Sequence, residues 1–272
     1  MSGNPSAWNP GELDRRQAEL FRSFLDEHDL RPVFLHAGYL INLSCRTGRN
    51  APLYAKSLRL LQATVERAAA LSCEYVVVHM GSRRGTGRGQ ALESLVDGIC
   101  RLDEAGCPGS GQETERRAGA AGSRPPALLL ENGAGAGDTV GSTFEELAEV
   151  LSAAAVSGVK LPLGICLDTA HMWGDGYDLG SGAAARRVVD EFDRVVGIDR
   201  LHLIHLNDSP VERGSCRDKH EHIGQGLISV KGLGAIVRHP GLREVAMILE
   251  TPGKSAPSDQ KRMEDLRALA GE

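Results

Sequence analysis

Six short apolar runs each end on a residue able to bind a divalent metal, and no other feature constrains the chain as tightly. They are Phe34-Leu35-His36, Val77-Val78-His79, Leu129-Leu130-Glu131, Cys166-Leu167-Asp168, Leu203-Ile204-His205 and Ile248-Leu249-Glu250. Apolar runs of this length, separated by stretches of helical spacing, read as buried parallel strands. A ligand at the carboxyl end of each strand stands where α/β barrels carry their chemistry. Three His, one Asp and two Glu in such places indicate a multi-metal site with nitrogen and oxygen donors, which suits zinc or another first-row ion.

The intervening segments supply the helices. Leu13, Ala18, Leu20, Phe21 and Leu25 form one amphipathic face before the first run, and Leu53, Leu58, Leu61 and Val65 form another within about Ala51 to Leu71. Further helices are expected near Ala91 to Leu102, Ser142 to Leu151, Ala183 to Val196, Val230 to Val237 and Asp259 to Leu269. Ser142 and Glu145 have the spacing of a capping box. Alternating strands and helices predict an α/β fold with a parallel sheet, a (β/α)8 TIM-type barrel reduced to six β/α units at its N-terminus. Two open sheet edges follow, through which an otherwise monomeric chain can self-associate. Residues 1–272 are expected to form a single domain, with the low-complexity stretch 104–126 a flexible insertion on the non-catalytic face.

No leading apolar segment resembles a signal peptide, and no run is long enough to span a bilayer. Six cysteines are scattered without a C-x-x-C pair, so a soluble protein of the reducing cytoplasm is expected. The formal charge of −5 argues on its face against a polyanionic partner. Three bound divalent ions reverse that argument by bringing the total to +1, with all the added charge at one mouth.

Other groups join the strand-end ligands. His79-Met80-Gly81-Ser82 leads into Arg83, Arg84 and Arg88, a combination of turn amides and guanidinium groups suited to phosphate. Asp168 and His171 sit three residues apart where a strand ends, so that they can serve different metals. Asp218 and His220, at i and i+2 of an extended segment, point to one side and make a two-ligand claw that His171 can complete. Asp208 and Asn132 are candidates either for orienting a ligand or for capping.

Together these segments resemble the endonuclease IV family of apurinic/apyrimidinic (AP) endonucleases. His36-Ala37-Gly38-Tyr39-Leu40-Ile41-Asn42-Leu43 matches the family's H-x-x-Y-L-I-N-L signature, and the other motifs follow in the family's order: His79-Met-Gly-Ser, Glu131-Asn-Gly-Ala-Gly, Asp168-Thr-Ala-His171, His205-Leu-Asn-Asp, Asp218-Lys-His220 and Glu250-Thr. The resemblance implies three Zn2+ per chain. His36, His79 and Glu131 would hold one; Glu131, Asp168, His205 and Glu250 a second; His171, Asp218 and His220 a third. It implies hydrolysis of the phosphodiester 5′ to an abasic site in double-stranded DNA, leaving a 3′-hydroxyl and a 5′-deoxyribose phosphate. Glu131 would orient a metal-activated water and accept its proton. Tyr39 would fill the gap left by an extruded nucleotide, with Arg83, Arg84 and Arg217 on phosphates. Arg46, Arg49, Arg88, Arg213 and Lys219 are further candidates for phosphate contact.

The chain departs from the family at its start. A strand, a helix and a second strand that precede Asn4 in the family are missing, and Ser6 stands where the family commonly offers an arginine. A start codon placed too late is the expected explanation, with a shortened, catalytically inactive lesion-binding protein as the alternative. A sugar isomerase or epimerase on a related barrel shares the strand-end ligands but has no task for a third metal.

Overall fold

The computed structural model describes residues 6–9, 11–106, 125–250, 261, 264 and 266–271. Within them the apolar runs are strands, and helices alternate with them as the spacing predicts: α1 (Arg15–Glu27), β1 (Phe34–His36), α2 (Ala51–Ala70), β2 (Tyr75–His79), α3 (Arg88–Glu104), β3 (Ala127–Glu131), α4 (Phe144–Val156), β4 (Leu163–Asp168), α5 (Thr169–Asp175), α6 (Gly182–Val195), β5 (Leu201–His205), α7 (Val230–Val237) and β6 (Ala246–Ile248). This is the strand–helix repeat of a TIM-type α/β fold, in six units. Of the expected insertion, residues 107–124 lie outside the described residues, as does most of the segment before the C-terminal helical residues 266–270.

The chain divides into two compact units. In the unit made of Met1–Leu130 and Glu149–Gly164, β1 pairs in parallel with β2, Phe34 opposite Tyr75 and His36 opposite Val77. The Ala127 N–H donates to the Glu74 carbonyl at 2.9 Å and brings in β3. Val76, Val77, Val78, Leu128, Leu129 and Leu130 are all buried, consistent with strands covered on both faces. Each such side chain contributes roughly 1.5–3 kcal/mol.

In the unit made of Glu131–Ala148 and Ile165–Glu272, β4, β5 and β6 pair in parallel. Asp168 stands opposite His205, and His205 opposite Ile248, after a bulge between Ile165 and Cys166. Phe144, Phe192, Ile165, Leu203 and Leu233 form its core. Among the described residues no helix is long and apolar enough to cross a membrane.

Three local expectations are corrected. The α4 cap lies one residue later than Ser142: Thr143 Oγ1 accepts the Glu146 N–H at 3.3 Å. Glu146 Oε2 reaches back to the N–H groups of Gly141 and Ser142, at 2.8 and 3.1 Å. The Thr143/Glu146 pair has the same spacing as Ser142/Glu145 and wins because Ser142 Oγ instead accepts the Gly135 N–H, at 3.1 Å. Second, β6 ends at Ile248, so Glu250 lies two residues beyond its strand. Third, the sequence predicts no helix directly after the strand that ends at Asp168, and the residues that follow form α5.

Candidate metal centre

In the second unit, the strand tips bring carboxylates and imidazoles together. Glu131 ends β3, Asp168 ends β4 and His205 ends β5, and their residues are 1%, 0% and 2% exposed. Ionised groups this deeply buried need a compensating charge. His205 Nδ1 lies 2.9 Å from Glu131 Oε1, 3.1 Å from Glu250 Oε2 and 3.9 Å from Asp168 Oδ2. A single ring nitrogen carries one proton at most, so it cannot satisfy three carboxylates by hydrogen bonding. One ligand atom from each of Glu131, Asp168, His205 and Glu250 lies within 4.8 Å of all the others, which is the spacing of a shell around one cation.

A second set is built from α5 and the loop after β5. Asp168 caps α5, its Oδ1 accepting the His171 N–H at 2.8 Å. His171 Nε2 and His220 Nε2 lie 3.2 and 3.3 Å from Asp218 Oδ1, and His220 Nε2 is 3.5 Å from Asp168 Oδ2. Asp168 thus stands within reach of both sets, whereas the spacing alone divided Asp168 and His171 between metals. Both rings are oriented from behind. His171 Nδ1 donates to the Asn132 carbonyl at 2.9 Å and His220 Nδ1 to the Glu250 carbonyl at 3.1 Å. A proton held on Nδ1 leaves Nε2 as the ligating nitrogen. His220 Nε2 is buried and makes no hydrogen bond among the described residues, although two carboxylates are close.

The electrostatics show the same demand. Burial works against protonating His171, yet Asp168 and Asp218 raise its pKa to about 10. His220, also desolvated, is raised to about 9 by Asp218 and Asp168. Asp218, facing the imidazoles of His171 and His220, is held by them well below the usual carboxylate range. His205 is raised too, with burial opposed by Cys166, Glu131 and Glu250 around its ring. The carboxylates draw protons onto these imidazoles, and a divalent cation answers the same charge demand. Neutral imidazoles with carboxylate oxygens are a donor set that fits zinc.

In the first unit, His36 and His79 sit on one face of the paired strands β1 and β2, their ring centroids 5.3 Å apart. His36 Nδ1 donates to the Ala37 carbonyl at 2.8 Å, the same backing bond found on His171 and His220. Tyr39 is 60% exposed, and its hydroxyl hydrogen-bonds to Ser6 Oγ. Arg84 and Arg49 are exposed and Arg83 half-buried. Arg46 and Arg88 are turned toward carboxylates, Arg46 Nε 3.8 Å from Asp97 and Arg88 paired with Glu149 at 2.7 Å. In the second unit Arg217 and Lys219 are exposed, whereas Arg213 pairs with Asp178 at 3.1 Å.

The loop that carries Asp218 and His220 is tied down by Asp208. Its Oδ1 accepts the N–H groups of Ser209 and Ile228 at 2.7 and 2.9 Å, and its Oδ2 those of Gly224 and Gly226 at 2.9 and 3.0 Å. Asp208 is therefore a loop anchor, with burial pushing its carboxyl up and the four amides pulling it down. Gly226 is required, because a Cβ there would lie 2.3 Å from Asp208 Oδ1 and 2.5 Å from the Ser209 carbonyl. Asn132 and Asn207 turn out to be bonded to Asp168. A position beside a strand-end ligand was the only sequence signal either offered.

Residues 2–271 match the family model described as Xylose isomerase-like TIM barrel. A probable endonuclease 4 of Haloquadratum walsbyi is 35% identical over 267 residues, 98% of this chain and 87% of that protein. The crystal structure of endonuclease IV from Thermus thermophilus superposes with a TM-score of 0.79 at 35% identity, covering 100% of this chain and 87% of that one. A D-tagatose 3-epimerase-like protein shares the fold alone, with a TM-score of 0.62 at 18% identity over 95% of this chain and 85% of its own. The motif order, the paired ligand sets and full-length identity at this level make the chain a member of the endonuclease IV family of AP endonucleases.

Proposed function

We propose that this chain is a zinc-dependent DNA-repair endonuclease. Its reaction is hydrolysis of the phosphodiester 5′ to an abasic site in double-stranded DNA, giving a 3′-hydroxyl and a 5′-deoxyribose phosphate. The observation that carries the reading is the pair of ligand sets meeting at Asp168: Glu131, Asp168, His205 and Glu250 in one, and Asp168, His171 and His220 in the other, with Asp218 between the two imidazoles. A sugar isomerase or epimerase, which needs one or two metals, has no task for a third. The proposed ligands are these seven residues together with His36 and His79, for three zinc ions in all. Bound there, zinc supplies Lewis acidity toward phosphoryl oxygens and water of lowered pKa.

The chain's own groups do the rest. Glu131 is buried with Oε1 2.9 Å from His205 Nδ1, which holds its carboxylate in place. It orients the attacking water and accepts its proton. Five neutral imidazoles and four carboxylates leave a cluster of three Zn2+ at +2, which favours a phosphodiester. Tyr39, exposed after β1, fills the gap beside an extruded abasic nucleotide, and extrusion costs least where no base is stacked. Arg83, Arg84 and Arg217 contact phosphates. We propose a cytoplasmic protein that works as a monomer and a single catalytic domain.

The test is incubation of the purified chain with a duplex bearing one abasic site, with the end chemistry of the products determined. A nick on the 5′ side with a 3′-hydroxyl is expected, and intact duplex would overturn the reading. Glu131→Gln should slow nicking by about 10²–10⁴-fold while leaving DNA affinity near wild type. Near-normal nicking by that variant would remove Glu131 from the chemistry.

A further inference from the structure

Asn207 is fully buried two residues past β5 and belongs to neither ligand set. Its side chain nonetheless joins two ligands. The Glu250 N–H donates to Asn207 Oδ1 at 2.8 Å, and Asn207 Nδ2 donates to Asp168 Oδ2 at 2.6 Å. A backbone N–H can only donate, so Oδ1 must face Glu250 and the amide nitrogen must face Asp168. The Asn207 backbone is itself held: its N–H donates to Thr169 Oγ1 at 2.8 Å, and that hydroxyl donates back to the Asn207 carbonyl at 2.5 Å.

The contact falls on a particular oxygen. Asp168 Oδ1 is engaged by the His171 N–H at 2.8 Å. Oδ2 is the atom 3.5 Å from His220 Nε2 and 3.9 Å from His205 Nδ1, and so faces both sets. Asn207 donates to that atom. At its other end it fixes the backbone of Glu250, whose carbonyl in turn accepts from His220 Nδ1 at 3.1 Å and whose Oε2 lies 3.1 Å from His205 Nδ1. Asn132 differs: its Oδ1 accepts the Asp168 backbone N–H at 2.6 Å and so holds the strand end.

We propose that Asn207 is a positioning residue for metal binding, locking the Asp168 carboxylate and the Glu250 backbone in the arrangement that receives a cation. The inference rests on the metal-dependent reading above. Side chains that orient ligands from behind typically change metal affinity by about 10–100-fold when removed.

The test uses the full chain loaded with zinc and follows zinc transfer to a chromogenic chelator. Melting of the metal-free protein is measured in parallel. Asn207→Leu, similar in volume but unable to hydrogen-bond, should release zinc about 10–100-fold faster. Thr169→Val, which removes the hydroxyl that steadies the same turn but keeps the amide on Asp168, should lower the melting temperature with a much smaller change in release. A simple structural role would make release and melting change in proportion in both variants, and that result overturns the proposal. Asn207→Ala, which leaves room for water at the freed Glu250 N–H, answers the question if the leucine variant does not fold. Release at the wild-type rate from a folded variant also overturns it. A wild-type chain that holds no zinc defeats this inference and the metal reading together. One that holds zinc but leaves abasic DNA intact defeats only the proposed activity.

Discussion

Removing the Asp208 carboxylate should open the loop that brings Asp218 and His220 to the site. Its two oxygens accept four backbone N–H groups, those of Ser209 and Ile228 on Oδ1 and those of Gly224 and Gly226 on Oδ2. Ser209 and Ile228 are buried, while the two glycines are more open to solvent. In Asp208→Ala the glycine amides can turn to water but the other two are stranded. At about 1–3 kcal/mol per buried unsatisfied donor the loss is about 4 kcal/mol. Asp208→Asn keeps one acceptor oxygen, which can serve the buried pair while the glycines take water, for a loss of about 1–2 kcal/mol. Relief of carboxylate desolvation trims both figures without changing their order. The assay is amide hydrogen exchange read on peptides covering 209–228. At about 1.4 kcal/mol per decade, protection should fall about a thousandfold in Asp208→Ala and about tenfold in Asp208→Asn. Wild-type exchange in this segment of Asp208→Ala would refute the argument that one carboxylate anchors the loop.

Three further outcomes are expected. Alanine for an interior helical glycine usually stabilises by about 1 kcal/mol, but at Gly232 the new Cβ would lie 1.9 Å from the Leu179 carbonyl oxygen; Gly232→Ala should instead cost about 1–3 kcal/mol, and a raised melting temperature would contradict the packing of α7. In the metal-free chain His171 and His220 are raised from 6.5 to about 10 and about 9, so the stability they contribute is fully present below pH 6.5 and is lost as pH rises through those values. The melting temperature of the zinc-stripped protein should fall between pH 6.5 and 10, and a flat profile would refute the coupling. Arg84→Ala and Arg217→Ala, both at exposed positions, should each reduce the salt dependence of DNA binding by about 0.9 in the log–log slope; an unchanged slope removes that residue from the DNA interface.

Much of the fold was legible because its strands are buried on both faces. Val76-Val77-Val78 and Leu128-Leu129-Leu130 can be little else in an α/β chain, and a polar ligand after an apolar run marks a strand's exit. That Asp218 and His220 share a side also followed from local periodicity, with the two residues two apart and Asp218 Oδ1 between the Nε2 atoms of His171 and His220. What stayed hidden was either too short or too distant. The seven residues of α5 carry too few turns to show a period, and they follow directly on Asp168, already read as a strand-end ligand. Thr143 and Ser142 offer the same capping signal in adjacent frames, and the choice was made by Gly135, seven residues from Ser142. Asn132, Asn207 and Asp208 act through partners that sequence spacing does not name. The same holds for Arg46, Arg88 and Arg213, read as cations for phosphate and found beside Asp97, Glu149 and Asp178.

The two ligand sets differ in what carries them. Glu131, Asp168 and His205 stand on strand tips rooted in the core, whereas Asp218 and His220 ride on an arm stapled at its base by Asp208. Lifting the arm withdraws two donors at once and leaves the sheet untouched, while withdrawing Glu131, Asp168 and His205 requires the sheet itself to come apart. Two shells of like chemistry would therefore have unlike residence times. An ion in the arm-borne shell would exchange on the clock of local opening, and one in the strand-borne shell on the far slower clock of unfolding.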